Sequence, residues 1–261
     1  MLLAVLVILV TIAAMILLPG EKWWFPAAIS DLARDYDQQF RWTLWIGGGI
    51  FVAAQLVLAY TIFRYRDRGQ RPSSNAGNNK LEIVWTLATL VLFVGIMLAG
   101  NRIWARIHFD QPPADALQVE VSAKQFAWAF RYPGPDGKFG KTDLKMVNDA
   151  IGKPFGIDDK DPAGKDDIVS ASLKVPTGKS VVLTLIARDV IHNFFVRELR
   201  IKQDAVPGMR IPFHFQADKT GTYEIACSEL CGLGHHQMRS TMQVMSPEGF
   251  DEWLKEQLAL K

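Results

Sequence analysis

"CSELCGLGHHQM", residues 227–238, holds the only two cysteines of this 261-residue chain. Glu229 stands between Cys227 and Cys231, and His235, His236 and Met238 follow closely. Two readings compete for such a cluster. In an exported domain the cysteines would pair as a disulfide. A Cys227–Cys231 bridge closes a very small loop, the kind that stabilises least. It also leaves His235 and Met238 without a role. The other reading is a metal site. Thiolate, imidazole and thioether are soft or borderline donors, which select copper over calcium or magnesium. A single blue copper takes two histidines, one cysteine and a weak methionine, so this loop has one thiolate too many. Two cysteines can instead bridge two coppers, each needing an imidazole and a weak axial ligand. One imidazole and the thioether are local. The second imidazole must come from elsewhere, and "ARDVIHNFFVREL" (187–199) offers His192.

Around the loop the pattern is one of short strands. "LQVEVSAKQFAWAFRY" (117–132) alternates and is rich in valine and aromatics, which predicts a strand. "ASLKVPTGKSVVLTLIARD" (171–189) predicts two strands about a Pro-Thr-Gly turn. "RIPFHFQA" places Ile211, Phe213 and Phe215 on one face, and His214 alternates outward as a solvated residue. "GTYEIAC" and "STMQVM" complete the set, an antiparallel sandwich or Greek-key barrel. The tail "SPEGFDEWLKEQL" predicts a helix capped by Ser246, with Phe250, Trp253, Leu254 and Leu258 on one face. Between the first strands lies a polar insertion, 134–168, whose Asp158, Asp159, Asp161, Asp166 and Asp167 do not fit an EF-hand spacing. It reads as a solvated loop, with a cation or partner site as the alternative.

The front of the chain is different. Leu2–Leu18, Trp42–Phe63 and Ile83–Gly100 are uncharged, and the last two approach the roughly 20 apolar residues that span a bilayer. They predict a transmembrane hairpin over 42–110. Residues 1–19 are a signal peptide or an additional transmembrane helix, and 20–41 an extracytoplasmic segment. The loop "RYRDRGQRPSSNAGNNK" (64–80) carries Arg64, Arg66, Arg68, Arg71 and Lys80 against Asp67 alone, which makes it cytoplasmic. Residues 111–261 then lie outside the cytoplasm. Trp23, Trp24, Trp42, Trp45, Trp85 and Trp104 cluster near the helix ends as interfacial anchors. Net charge is only +2, which argues against a basic nucleic-acid surface. From Asp110 onward 19 basic and 21 acidic residues give −2; before it 10 and 6 give +4.

The motif Cys-x-Glu-x-Cys-x3-His-x2-Met, with Asp189–His192, "KQDAVPG" and "LEIVWT", resembles cytochrome c oxidase subunit II. The resemblance runs from about Trp42 to the end. It implies a membrane-anchored all-β protein with two or three N-terminal transmembrane helices. A cupredoxin-like Greek-key β-sandwich or barrel would follow them. It implies a dinuclear copper-A centre bridged by Cys227 and Cys231. His192 and His235 would each bind one copper, with Met238 and the Glu229 carbonyl as weak axial ligands. The Glu229 carboxylate would reach a magnesium or manganese shared with subunit I. His236 would not be a ligand. In "QFAWAF" Trp128 matches one family tryptophan, while Phe126 stands where a second, the electron-accepting one, is usual. Arg197 stands where the family often has proline. Glu82 matches a glutamate at the mouth of a proton channel.

The implied function is electron uptake from a cytochrome c-type donor and delivery to haem in subunit I. The implied partners are subunits I and III, the donor and membrane lipid; the implied place is a bacterial cytoplasmic membrane. A quinol-oxidase subunit II shares the architecture without the copper ligands. A copper-delivery protein could use Cys, His and Met but has no need of Glu82.

Overall fold

Hydropathy builds the front of the chain into helices. The computed structural model describes residues 2–17, 25–69, 71, 77–158 and 160–261. Trp23, Trp24 and Asp159 lie outside the described residues, as do parts of the 20–41 segment and of the basic loop. Helix α1 is Leu2–Leu17, α2 is Asp31–Arg64 and α3 is Asn79–His108. Two of them, α2 and α3, are long and apolar enough to cross a membrane. Helix α2 starts eleven residues before the apolar run, and its 34 residues reach about 51 Å against a hydrocarbon core of about 30 Å. Its first turns carry Asp31, Arg34, Asp35, Asp37 and Arg41. The expected extracytoplasmic segment is therefore partly helix. Within the helical unit α1 lies beside α2, where Ala4, Val5 and Ile8 share a cavity wall with Leu56, Ala59 and Tyr60.

The second unit is a sandwich of two five-stranded sheets. In chain order the strands are β1 (Leu117–Lys124), β2 (Ala127–Tyr132), β3 (Ile168–Ser170), β4 (Leu173–Pro176) and β5 (Ser180–Ala187). They continue as β6 (His192–Val196), β7 (Ile201–Ala205), β8 (Ile211–Gln216), β9 (Gly221–Cys227) and β10 (Arg239–Met245). One sheet runs β3-β2-β1-β5-β8, the other β4-β10-β9-β6-β7. Alternation places Val119, Val121, Leu183, Leu185 and Phe213 in one core with Phe194, Ile225 and Met242. Helix α4 (Pro247–Ala259) adds Phe250 and Trp253 to that core, and the Ser246 side chain accepts from Gly249 N–H as its cap. Ile29 joins it as well: its N–H donates to the Glu198 carbonyl and its carbonyl accepts from Asp218.

Three features depart from the sequence reading. Two pairings, β1 with β5 and β4 with β10, are parallel. Alternation reports which face is buried, not the direction of the neighbour. Residues 117–132 form a hairpin rather than one strand: Lys124 pairs with Ala127, and Gln125–Phe126 is the turn. That turn has none of the glycine or asparagine that usually marks one.

The third departure is in the insertion, where Asp167 is buried instead of solvated. Arg131, 1% exposed, is the reason. Its Nη1 donates to Glu120 Oε2 at 2.8 Å, its Nε to Asp167 Oδ2 at 3.0 Å, and its Nη2 to the Gly140 carbonyl at 2.6 Å. Gly140 N–H donates to the same Asp167 oxygen. A side chain on Gly140 would strike Gly164 Cα at 2.2 Å, so the two arms of the insertion meet through glycine. Removing one member of a buried ion pair strands the other. Arg131→Ala should therefore destabilise the sandwich by about 3–5 kcal/mol in urea unfolding. A loss within experimental error would mean that the insertion is held elsewhere.

Candidate metal centre

The candidate ligands meet because three strands of one sheet bring them together. β9 ends at Cys227 and β10 begins at Arg239, and the pairing Ala226–Arg239 closes the loop between them. Cys227 N–H donates to the Met238 carbonyl at 3.1 Å, so the first and last residues of the loop share its base. β6 lies on the other side of β9, with Phe194 opposite Cys227, and starts at His192. His192 and Met238 are fully buried; Cys227 and Cys231 nearly so.

Both cysteines are free thiols. Their sulfurs are 3.8 Å apart, against about 2.05 Å in a disulfide. Cys227 Sγ is 3.9 Å from His192 Nδ1, and Cys231 Sγ is 3.6 Å from His235 Nδ1. Met238 Sδ lies 3.8 Å from Cys231 Sγ, and the Glu229 carbonyl 3.2 Å from Cys227 Sγ. Ions of this class bond sulfur at about 2.3 Å and imidazole at about 2.0–2.1 Å. Each sulfur–nitrogen pair is closer than those bonds added together, so one ion reaches both members. The donor set thus offers two soft-metal positions, one at each sulfur–imidazole pair. Burial, then the neighbouring Cys227, pushes the Cys231 thiol above its ordinary pKa.

The surroundings hold this arrangement in place. Asp189 Oδ1 is 2.8 Å from His192 Nε2. That hydrogen bond keeps the proton on Nε2 and turns the Nδ1 lone pair toward the sulfur. Burial pushes Asp189 up, but Gln125 N–H, His192 and Val190 N–H outweigh it and hold the carboxyl below its ordinary pKa. Gln125 also donates from Nε2 to the Cys231 carbonyl at 2.5 Å. The Phe126 ring covers the loop: a side chain on Gly234 would meet it at 2.4 Å, and one on Gly232 at 3.2 Å. Trp128 is buried and turns its edge to His192, with ring centres 6.2 Å apart.

Of the expected site residues, His192, Cys227, the Glu229 carbonyl, Cys231, His235 and Met238 converge, with Phe126 and Trp128 against them. The Glu229 side chain and His236 point to the surface. Glu82 does not join them; it is exposed in the first turn of α3, in the helical unit. His214 alternates outward from the buried Phe213 and Phe215 and is half-buried beside Asp110 and Pro113, where burial lowers its pKa. Asp189 and Gln125 were not expected to act on the ligands. The Asp-x-x-His spacing was the available signal for the first; nothing local marks the second.

The family described as "Cytochrome C oxidase subunit II, periplasmic domain" matches residues 117–245. Alternative cytochrome c oxidase subunit 2 of Bradyrhizobium diazoefficiens is 34% identical over 257 residues, covering 97% of this chain and 91% of that protein. Cytochrome c oxidase subunit 2 of Cereibacter sphaeroides is 29% identical over 257 residues, covering 91% of this chain and 80% of that protein. The solved periplasmic domain of subunit II of the Bradyrhizobium japonicum cytochrome oxidase is 30% identical, with a TM-score of 0.41; the match covers 56% of this chain and 96% of that domain. Similarity that runs through the apolar helices as well as the sandwich leaves one conclusion: the chain belongs to the cytochrome c oxidase subunit II family.

Proposed function

We propose that this chain is the electron-accepting subunit of a proton-pumping oxygen reductase. It takes electrons singly from a cytochrome c-type donor at a dinuclear copper-A centre and passes them to haem in subunit I. One observation carries the reading: two free buried thiols 3.8 Å apart, each with its own imidazole Nδ1. A single-copper site has no use for the second thiol, and a delivery site that must release its ion has no use for so closed a set.

When bound, a copper pair bridged by two thiolates supplies one-electron storage shared over both ions. The residues do the rest. Cys227 and Cys231 hold both positions. His192 and His235 would each supply an imidazole to one of them, and Met238 and the Glu229 carbonyl would be the remaining donors. Asp189 fixes the His192 ring, and Gln125 and Phe126 hold the loop, so ligand positions change little between oxidation states. His192, Cys227, Cys231 and Met238 are buried, which limits how far solvent reorganises around them. Phe126 is the surface aromatic on the loop, and Trp128 the buried one on His192. They are the two π-systems through which an electron reaches the ligands.

The Glu229 carboxylate faces outward and suits a magnesium or manganese ion shared with subunit I. Glu82, at the end of α3 next to the basic loop, suits a proton-channel mouth. With Arg64, Arg66, Arg68 and Arg71 on the cytoplasmic side, the sandwich lies in the periplasm of a bacterial cytoplasmic membrane. Subunits I and III and lipid surround the helices.

Loading of the purified chain with copper should give a copper pair per chain, with EPR hyperfine splitting shared equally by both nuclei. A pattern from a single nucleus would end the reading. Both thiols must lose protons, and Cys231 resists, so copper affinity should weaken as pH falls. Asp189→Ala should cost about 10–100-fold in copper affinity in a competition titration with a chelator. An unchanged affinity would remove Asp189 from the site. In the assembled oxidase Glu82→Gln should slow proton-coupled turnover several-fold and leave the copper spectrum unaltered. Full turnover would sink the proton-channel role.

A further inference from the structure

The polar insertion covers the outer face of one sheet and leaves a space beneath it. On β1 and β2 the side chains that point away from the core are paired across the strands: Glu120 with Arg131, Ser122 with Ala129, Lys124 with Ala127. At one end Glu120 and Arg131 fill the space with the buried ion network already described. In the middle the residues are small. A cavity of about 360 Å³ lies there, lined by Ser122, Ala127 and Ala129 on the sheet and by Gly152 and Pro154 of the insertion.

The other end of this cavity is charged. Asp149, in the short helical turn Asp149–Ile151 of the insertion, accepts from Lys124 Nζ on Oδ2 at 2.7 Å and from Arg188 Nη2 on Oδ1 at 2.9 Å. All three residues line the cavity. Burial pushes Asp149 up, but Arg188 and Lys124 outweigh it and hold its carboxyl below the ordinary pKa. Two cations against one carboxylate leave one positive charge in excess. Donors are in excess too. Arg188 Nε is buried and has no hydrogen-bond partner among the described residues. The Lys124 ammonium carries three N–H donors, of which Asp149 takes one. A buried N–H without an acceptor is costly, so this wall lacks an oxygen that the chain does not supply.

We propose that the cavity binds a small organic monoanion, a carboxylate on a short apolar body. The carboxylate belongs at the charged end, where Arg188 Nε–H and a Lys124 N–H donate to its oxygens and its charge cancels the excess. The apolar body belongs over Ala127, Ala129 and Pro154. The volume falls within the range of small-molecule pockets, about 300–1,000 Å³, in which a few polar groups orient a mostly apolar ligand. Inorganic phosphate carries more charge and has no apolar part, so it matches neither end. The site lies on the sheet β3-β2-β1-β5-β8, and none of the candidate metal ligands lines it.

The test uses the full-length chain in detergent at neutral pH, with no copper added. Benzoate is the probe, and benzamide, its uncharged counterpart, and inorganic phosphate are the controls. Isothermal titration calorimetry reads the affinity. Benzoate should bind saturably and about tenfold tighter than either control, the factor that a charge-assisted hydrogen bond contributes over a neutral one. Arg188→Gln should weaken benzoate by a similar factor. Asp149→Asn removes the competing carboxylate and should tighten benzoate several-fold, a gain that a merely structural ion pair would not give. Ala129→Leu fills the space without touching a charge and should abolish binding. If Ala129→Leu has lost its thermal transition, Ala127→Leu takes its place at the more exposed end. Benzoate binding no tighter than benzamide, weaker binding to Asp149→Asn, or undiminished binding to the filled variant overturns the proposal. Phosphate binding as tight as that of benzoate overturns it as well, because the apolar half of the site would then select nothing. Each of these results is read without copper, so a failure here leaves the electron-uptake reading standing.

Discussion

The hydrogen bond from Cys227 N–H to the Met238 carbonyl sets the terms for the whole site. Buried backbone groups must be paired, so the β9–β10 ladder has to run to its last rung. Once it does, the loop starts and ends at neighbouring points, and the thiol and thioether at its two ends meet. The loop adds its own partners: Ser228 N–H donates to the Asn193 carbonyl, which ties it to β6 and so to His192. Gln125 takes the Cys231 carbonyl from the opposite sheet. The candidate ligands are therefore held by backbone pairing within one sheet and by the Gln125 side chain from the other.

Around that frame the aromatic residues divide by depth. Phe126 is at the surface and requires glycine beneath it at 234, where a side chain would overlap the ring; at 232 a side chain would strike Gln125 Nε2 at 2.7 Å. Trp128 is inside, packed edge-on to both His192 and Phe194. Its indole Nε1 is buried with no hydrogen-bond partner among the described residues. Such an orphan costs about 1–3 kcal/mol.

Much of this was legible beforehand, for definable reasons. The helices follow from unbroken apolar runs, and the strands β5, β8, β9 and β10 from period-two alternation. The loop ligands follow from donor chemistry within a dozen residues. What stayed hidden depends on distant partners. Arg131 and Asp167 look like solvent charges until each is seen to bury the other. The Gln125–Phe126 turn carries no turn residue, so its hairpin reads as one strand. Asp149 is one of several acids in a polar stretch until Lys124 and Arg188 arrive from the sheet. The role of Asp189 needs the geometry of a strand start, which spacing alone does not provide.

The ligands are unequally distributed along the chain. Those from Cys227 to Met238 are local, whereas His192 precedes them by 35 residues and arrives only through the register that sets Phe194 beside Cys227. An unfolded chain already carries a soft-donor cluster in one short segment. Only the paired sheet adds the last imidazole, with its ring oriented by Asp189. The complete donor set is thus a property of the folded sheet, not of the loop alone.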